Sequence, residues 1–170
     1  LSIFEKLVGV EPQNSVYLMN LAVCHQKLGQ LDDAILKYIK VTELDPEFAD
    51  VYVNLGNCYR LKGDLEKSYT TLKHAISLKP IPSGASSCLG STLIEAGELN
   101  EASKVLLEAV KLNEDDALLH YNLGVLWLDY NKVDKAKESF KSCLTYNPLM
   151  TDAYWGLVGT SKKELEAQEW

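Results

Sequence analysis

The chain has 170 residues, 46% hydrophobic and 24% charged, the balance of a folded protein rather than a disordered one. Seventeen basic residues against 24 acidic ones give a net charge of −7, which disfavours nucleic acid, and Lys and Arg never run beyond the pair Lys162-Lys163. No apolar run reaches the length of a membrane span, and no signal peptide opens the sequence.

The chain opens on Leu1, not Met, and is expected to be a piece of something longer. Residues 1–14 read as the second helix of a truncated unit, with Phe4 and Pro12 in places that recur downstream. Four units follow, at 15–48, 49–82, 83–116 and 117–150, and residues 151–170 read as a longer terminal helix that caps the array. The frame rests on a 34-residue step: Leu21, Leu55, Leu89 and Leu123 keep it, as do Ala22, Gly56, Gly90 and Gly124. A period of this size means stacked supersecondary units, each unable to bury its apolar face alone.

Within each unit the pattern predicts two helices and a tight turn. In 49–82, Tyr52, Leu55, Gly56 and Tyr59 share one helical face, and Leu65, Ser68, Leu72, Ala75 and Ile76 form a second. Gly29, Gly63, Gly97 and Asn131 stand between the helices, where a positive φ ends the first one. Asp32, Glu66, Asn100 and Asp134 follow three places later, where a helix start favours a cap or a negative charge. The small residues at Ala22, Gly56, Gly90 and Gly124, opposite Ala34, Ser68, Ala102 and Ala136, predict close helix approach inside each hairpin. The third unit departs from the pattern. Its opening, Ile81 to Cys88, is short of helix formers, Ser86 replaces a bulky residue and Glu114 replaces a proline, so a soft spot is expected there.

These residues resemble the tetratricopeptide repeat (TPR) family: Tyr52–Leu55–Gly56–Tyr59 and His120–Leu123–Gly124–Trp127 on first helices, Ala34–Tyr38–Pro46 and Ala136–Phe140–Pro148 on second ones. The resemblance covers nearly the whole chain. It implies an all-α, right-handed superhelical solenoid of antiparallel helix pairs.

Signs of chemistry are lacking. His25, His74 and His120 have no partners at metal-ligand spacing, and HExxH, GxSxG and phosphate-loop patterns are absent. Carboxylate pairs such as Asp32-Asp33 and Asp115-Asp116 sit at helix starts. No catalytic residue, metal or cofactor is expected. Cys24, Cys58, Cys88 and Cys143 form no CxxC pair, which leans toward free thiols in an intracellular, cytoplasmic setting.

In the TPR family the first helices line a concave groove. The resemblance therefore places there Met19, Asn20 and Val23, then Asp50, Val53, Asn54, Asn57 and Arg60, then Ser87 and Ser91, then Tyr121, Asn122 and Val125, and last Trp155. Asn20, Asn54 and Asn122 recur at one place, and an amide can donate to and accept from a peptide backbone at once. The cations of the carboxylate-clamp TPR variety are missing, so an apolar and hydrogen-bonded contact with modest salt dependence is expected. The expected function is a non-catalytic module that binds a peptide segment or helix of another protein in this groove, within a larger scaffold or assembly. The alternative is the substrate-recruiting TPR arm of an enzyme such as a protein O-glycosyltransferase. Self-association through the apolar flank Ile3, Phe4 and Leu7 of the N-terminal half unit is a further expectation.

Overall fold

The computed structural model describes residues 2–168; Leu1 and the last two residues of the expected cap, Glu169 and Trp170, lie outside them. Every regular element among the described residues is a helix: α1 (Ser2–Val10), α2 (Ser15–Lys27), α3 (Leu31–Leu44), α4 (Ala49–Leu61), α5 (Leu65–Ser77), α6 (Ala85–Glu95), α7 (Leu99–Leu112), α8 (Ala117–Asp129), α9 (Val133–Tyr146) and α10 (Thr151–Gln168). The chain divides into two compact units, Leu1–Thr92 and Leu93–Trp170.

The turns follow from backbone sterics. Gly29, Gly63 and Gly97 adopt φ of 74°, 80° and 77°, and Asn131 adopts 54° in the same register. Each closes the preceding helix with the same pair of bonds. At Gly63 its own N–H reaches the Arg60 carbonyl (2.8 Å) and the Asp64 N–H reaches that of Tyr59 (2.9 Å). At Asn131 the partners are Leu128 (3.0 Å) and, through the Lys132 N–H, Trp127 (2.7 Å). This double bond satisfies carbonyls that a bare helix end would leave orphaned.

Helix starts are divided between two devices. Asp64 caps α5 by accepting from the Lys67 N–H, and Asn14 and Asp116 cap α2 and α8. Asp32, Glu66 and Asp134 lie one position inside the first turn, as charges that favour the helix dipole. Asn100 instead accepts a hydrogen bond from the Tyr130 hydroxyl (2.8 Å).

In the unit Leu1–Thr92, α1 packs on α2, and α2 through α5 stack as successive antiparallel neighbours. Their core gathers Leu18, Ala22, Ala34, Ile35, Tyr38, Val41, Val51, Leu55 and Cys58. A methyl at Gly56 would stand 2.5 Å from Leu72 Cγ, so the missing side chain is what lets α5 lie against α4. α6 begins at Ala85, after a segment in which Pro82 is buried and Gly84 has φ of 79°. Ser68 and Thr92 are both buried there and bond through their hydroxyls at 2.8 Å, joining α5 to α6.

In the unit Leu93–Trp170, α7 packs on α8, α8 on α9, and α10 on both α8 and α9. Phe140 is fully buried and seats its ring against two glycines, with distances of 2.5 Å to an added Cβ at Gly124 and 2.6 Å at Gly156. Burying a side chain of this size contributes roughly 2–3 kcal/mol. α10 runs unbroken through position 165, where a turn residue would otherwise fall.

A repeated ring-to-carbonyl bond fixes the start of three first helices. The Tyr52 hydroxyl donates to the Pro46 carbonyl (3.0 Å), Tyr154 to Pro148 (3.2 Å), and His120 Nε2 to Glu114 (2.7 Å). His120 thus does with an imidazole what tyrosine does in its neighbours. It also stacks on Tyr146 at 5.4 Å.

Candidate functional site

The residues expected on the first-helix face fall into two sets, one in each unit. On α2, Met19 and Val23 are half-buried and lean on the core around Tyr38. Asn20 donates its side-chain amide to the Val16 carbonyl (2.8 Å), inside its own helix. On α4, Asp50 is exposed in the first turn, while Val53, Asn54, Asn57 and Arg60 are half-buried. Arg60 donates from Nη2 to Asn57 Oδ1 at 2.9 Å, so two of the expected residues act as one polar group. The Asn54 amide enters no hydrogen bond among the described residues. On α6, Ser87 is buried and donates to the Gly84 carbonyl (2.9 Å), and Ser91 donates to Ser87 (3.1 Å).

In the second unit, α8 supplies Tyr121 and Val125, both half-buried against the core of Ala136, Phe140, Cys143 and Ala153. Asn122 is buried, at 3% exposure. Trp155 on α10 is 73% exposed, an unusual position for an indole in a folded helix. The Tyr121 ring lies 5.9 Å from that of Phe140. Burial raises the Tyr121 phenol above its ordinary value, and the charge of Asp152 adds to the rise.

Interior titratable groups are tuned by burial. Tyr38 is fully buried, its phenol is raised by desolvation and by the nearby Cys58 and Cys24 thiols, and it donates to Gln26 Oε1 at 2.7 Å. Burial pushes the Cys58 thiol from 9.0 up to about 11. A thiol raised in this way is a packing group, not a nucleophile. Among the described residues no group of three or more His, Cys, Asp or Glu could hold a metal ion. No helix among them is long and apolar enough to cross a membrane.

Sequence reasoning missed two features. The Ser68–Thr92 pair occupies places held in the other repeats by Ala and by Cys or Leu, and two polar residues at neighbouring core places were its only signal. The turn between α8 and α9 carries Lys132 over both Trp127 (5.2 Å) and Tyr130 (5.1 Å), with Lys135 also over Trp127 (5.1 Å). Lys67 over Tyr59 (5.6 Å) repeats the Lys135–Trp127 contact, and an aromatic followed eight residues later by Lys would have revealed it.

The sequence matches the family described as "TPR repeat" over residues 25–59 and 90–129, and that described as "Tetratricopeptide repeat" over residues 49–82. The chain belongs to the tetratricopeptide repeat family. Its all-helical structure is that of a TPR solenoid, and a TPR array is a scaffold for protein–protein interaction. The chain is 24% identical over 139 residues to the anaphase-promoting complex subunit CDC16 of Saccharomyces cerevisiae, covering 82% of this chain and 16% of that protein. It is 25% identical over 164 residues to the human protein O-mannosyl-transferase TMTC3, covering 87% of this chain and 18% of that one. The TPR chain thus spans less than a fifth of the length of either relative. Among solved structures, that of the APC/C hetero-tetramer Cut9-Hcn1 superposes with a TM-score of 0.87 at 18% identity, over 95% of this chain and 32% of that one. At that identity the likeness is one of fold.

Proposed function

We propose that this TPR chain is a non-catalytic interaction module. It takes a peptide segment or a helix of another protein against the first-helix face of a unit, as part of a larger assembly. The reading rests on one observation above all. In the unit Leu1–Thr92 that face carries a half-buried side-chain amide, Asn54, with no hydrogen bond among the described residues, flanked by the half-buried Val53 and Asn57. A side-chain amide can pair with both the N–H and the C=O of a peptide, and its half-buried position limits the water that would compete. Similarity to a subunit of a multiprotein complex supports the assembly half of the reading.

Affinity capture with the wild-type chain beside Asn54→Ala, read by mass spectrometry, tests it. A partner lost only with the variant supports the face; a partner retained equally by both removes Asn54 from it. Asn122→Ala is a poor companion, because Asn122 is 3% exposed and its loss would disturb the core.

A second reading is favoured by the match to TMTC3 across 87% of this chain: a substrate-recruiting arm of a transferase whose catalytic part lies elsewhere. Deleting this segment from the full-length protein separates the two. Loss of transferase activity on protein substrates supports the arm, and loss of complex assembly without any such activity supports the scaffold.

A further inference from the structure

The unit Leu93–Trp170 carries two exposed side chains on α10, Trp155 and Asp152, that its core does not account for. Trp155 is 73% exposed and takes no part in the core that Phe140 organises. Asp152, also exposed, sits one turn earlier on α10, and residues three apart are neighbours on a helix surface. Tyr121 lies on α8, 34 positions before Trp155 and so in the same register of the preceding first helix. Burial raises the Tyr121 phenol, and the Asp152 charge adds to that rise. α8 contains no Lys or Arg, α10 has none before Lys162, and Asp152 enters no ion pair among the described residues.

An exposed indole beside an unanswered carboxylate is complementary to a cation that also has a flat face. A guanidinium meets both demands, stacking on the ring while its N–H groups reach the carboxylate. An ammonium offers the charge without the plane, and an anion is repelled by Asp152 and by a chain of net charge −7. We propose that the first-helix face of this unit holds an arginine side chain of the partner segment, with the Trp155 indole under the guanidinium and the Asp152 carboxylate at its edge. The proposal rests on the reading of that face as a peptide surface and adds the chemistry of the residue it selects.

The test is an NMR titration of the 170-residue chain with two capped peptides, Leu-Arg-Leu-Leu and the same peptide with neutral citrulline for arginine. The arginine peptide is expected to shift the Trp155 indole N–H and the Asp152 and Tyr121 amides, and to bind about 10-fold tighter than the citrulline peptide. Asp152→Asn and Trp155→Ala, both at exposed positions, should each remove most of that preference while leaving the remaining amide spectrum in place. Equal affinity for the two peptides overturns the arginine assignment and leaves the peptide surface standing. So does a preference that survives both substitutions. Absence of any shift on α8 and α10 at millimolar concentrations of either peptide overturns the surface itself in this unit.

Discussion

The hairpin interiors and the first-helix faces share the same helices yet obey different constraints. In the interiors one register means one environment. Ala34, Ser68, Ala102 and Ala136 are all fully buried, and a Cβ added at Gly56 or Gly124 would stand 2.5 Å from a large second-helix side chain. On the faces one register means three environments. Asn20 donates into its own helix, Asn54 is unengaged, and Asn122 is buried. Recurrence inside a hairpin is enforced by steric contact, which tolerates few residue types. Recurrence on a face is enforced by nothing internal, so the same letter there carries no shared geometry.

The largest effect is expected where the interior is most constrained. Phe140→Ala should lower unfolding stability by about 4 kcal/mol, because it removes a fully buried ring and leaves a gap between two glycine-lined helices. A urea midpoint that barely moves would mean the glycines do not depend on that ring, and the contrast between interior and face would collapse.

Cys58, another interior residue, makes the stability depend on alkaline pH. Its folded thiol titrates at about 11 against an ordinary 9.0, so its contribution is complete below pH 9. Between 9 and 11 the unfolded chain has lost a proton that the folded one keeps, and stability falls as pH rises. The loss attributable to this group is on the order of 2 kcal/mol. Unfolding of Cys58→Ala followed from pH 8 to 11 should decline less steeply than wild type; parallel curves would show that the thiol is not the group responsible.

Two glycines of α10 sharpen the comparison within a single helix. A Cβ at Gly156 would lie 2.6–2.7 Å from three atoms of the Phe140 ring, while one at Gly159 would meet nothing within 4 Å. Gly156→Ala should cost about 2 kcal/mol through overpacking. Gly159→Ala should instead raise stability by up to about 1 kcal/mol, since alanine restricts the unfolded chain and favours the helix. Thermal melts of the pair decide it, and a shared sign would show that α10 does not hold its position by contact with Phe140.

The elements differ in how far residues alone revealed them. The turns were legible because a left-handed residue is a steric demand that only Gly and Asn meet readily, and all four expected positions adopt it. The close approaches at Gly56 and Gly124 were legible for a different steric reason, since an added Cβ there would clash with the facing helix. Less was visible where two solutions satisfy the same need. Helix starts can be served by a cap or by a first-turn charge, and Asp64 took the cap while Glu66 supplied the charge. The late start of α6 and the Ser68–Thr92 bond depend on how one hairpin meets the next, which no single periodic pattern encodes. The face residues were nameable by position, but not their state. Whether an amide is engaged depends on its neighbours' rotamers, and Ser87 turned out buried with its hydroxyl bonded to Gly84.

The smallest expected change in stability belongs to Asn54→Ala, and it is the one that separates the two regions most cleanly. An interior polar group that lost its side chain would strand a partner and cost about 1–3 kcal/mol. Asn54 has no partner to strand among the described residues, and alanine is the better helix former, so the unfolding midpoint should stay within about 0.5 kcal/mol of wild type or rise. Tyr38→Phe is the matched interior control. It deletes a hydroxyl that donates to Gln26 at 2.7 Å and should cost about 1 kcal/mol. If Asn54→Ala destabilised the fold as much as Tyr38→Phe does, its amide would be a structural group, and the first-helix face would lose the residue best placed to hold a peptide.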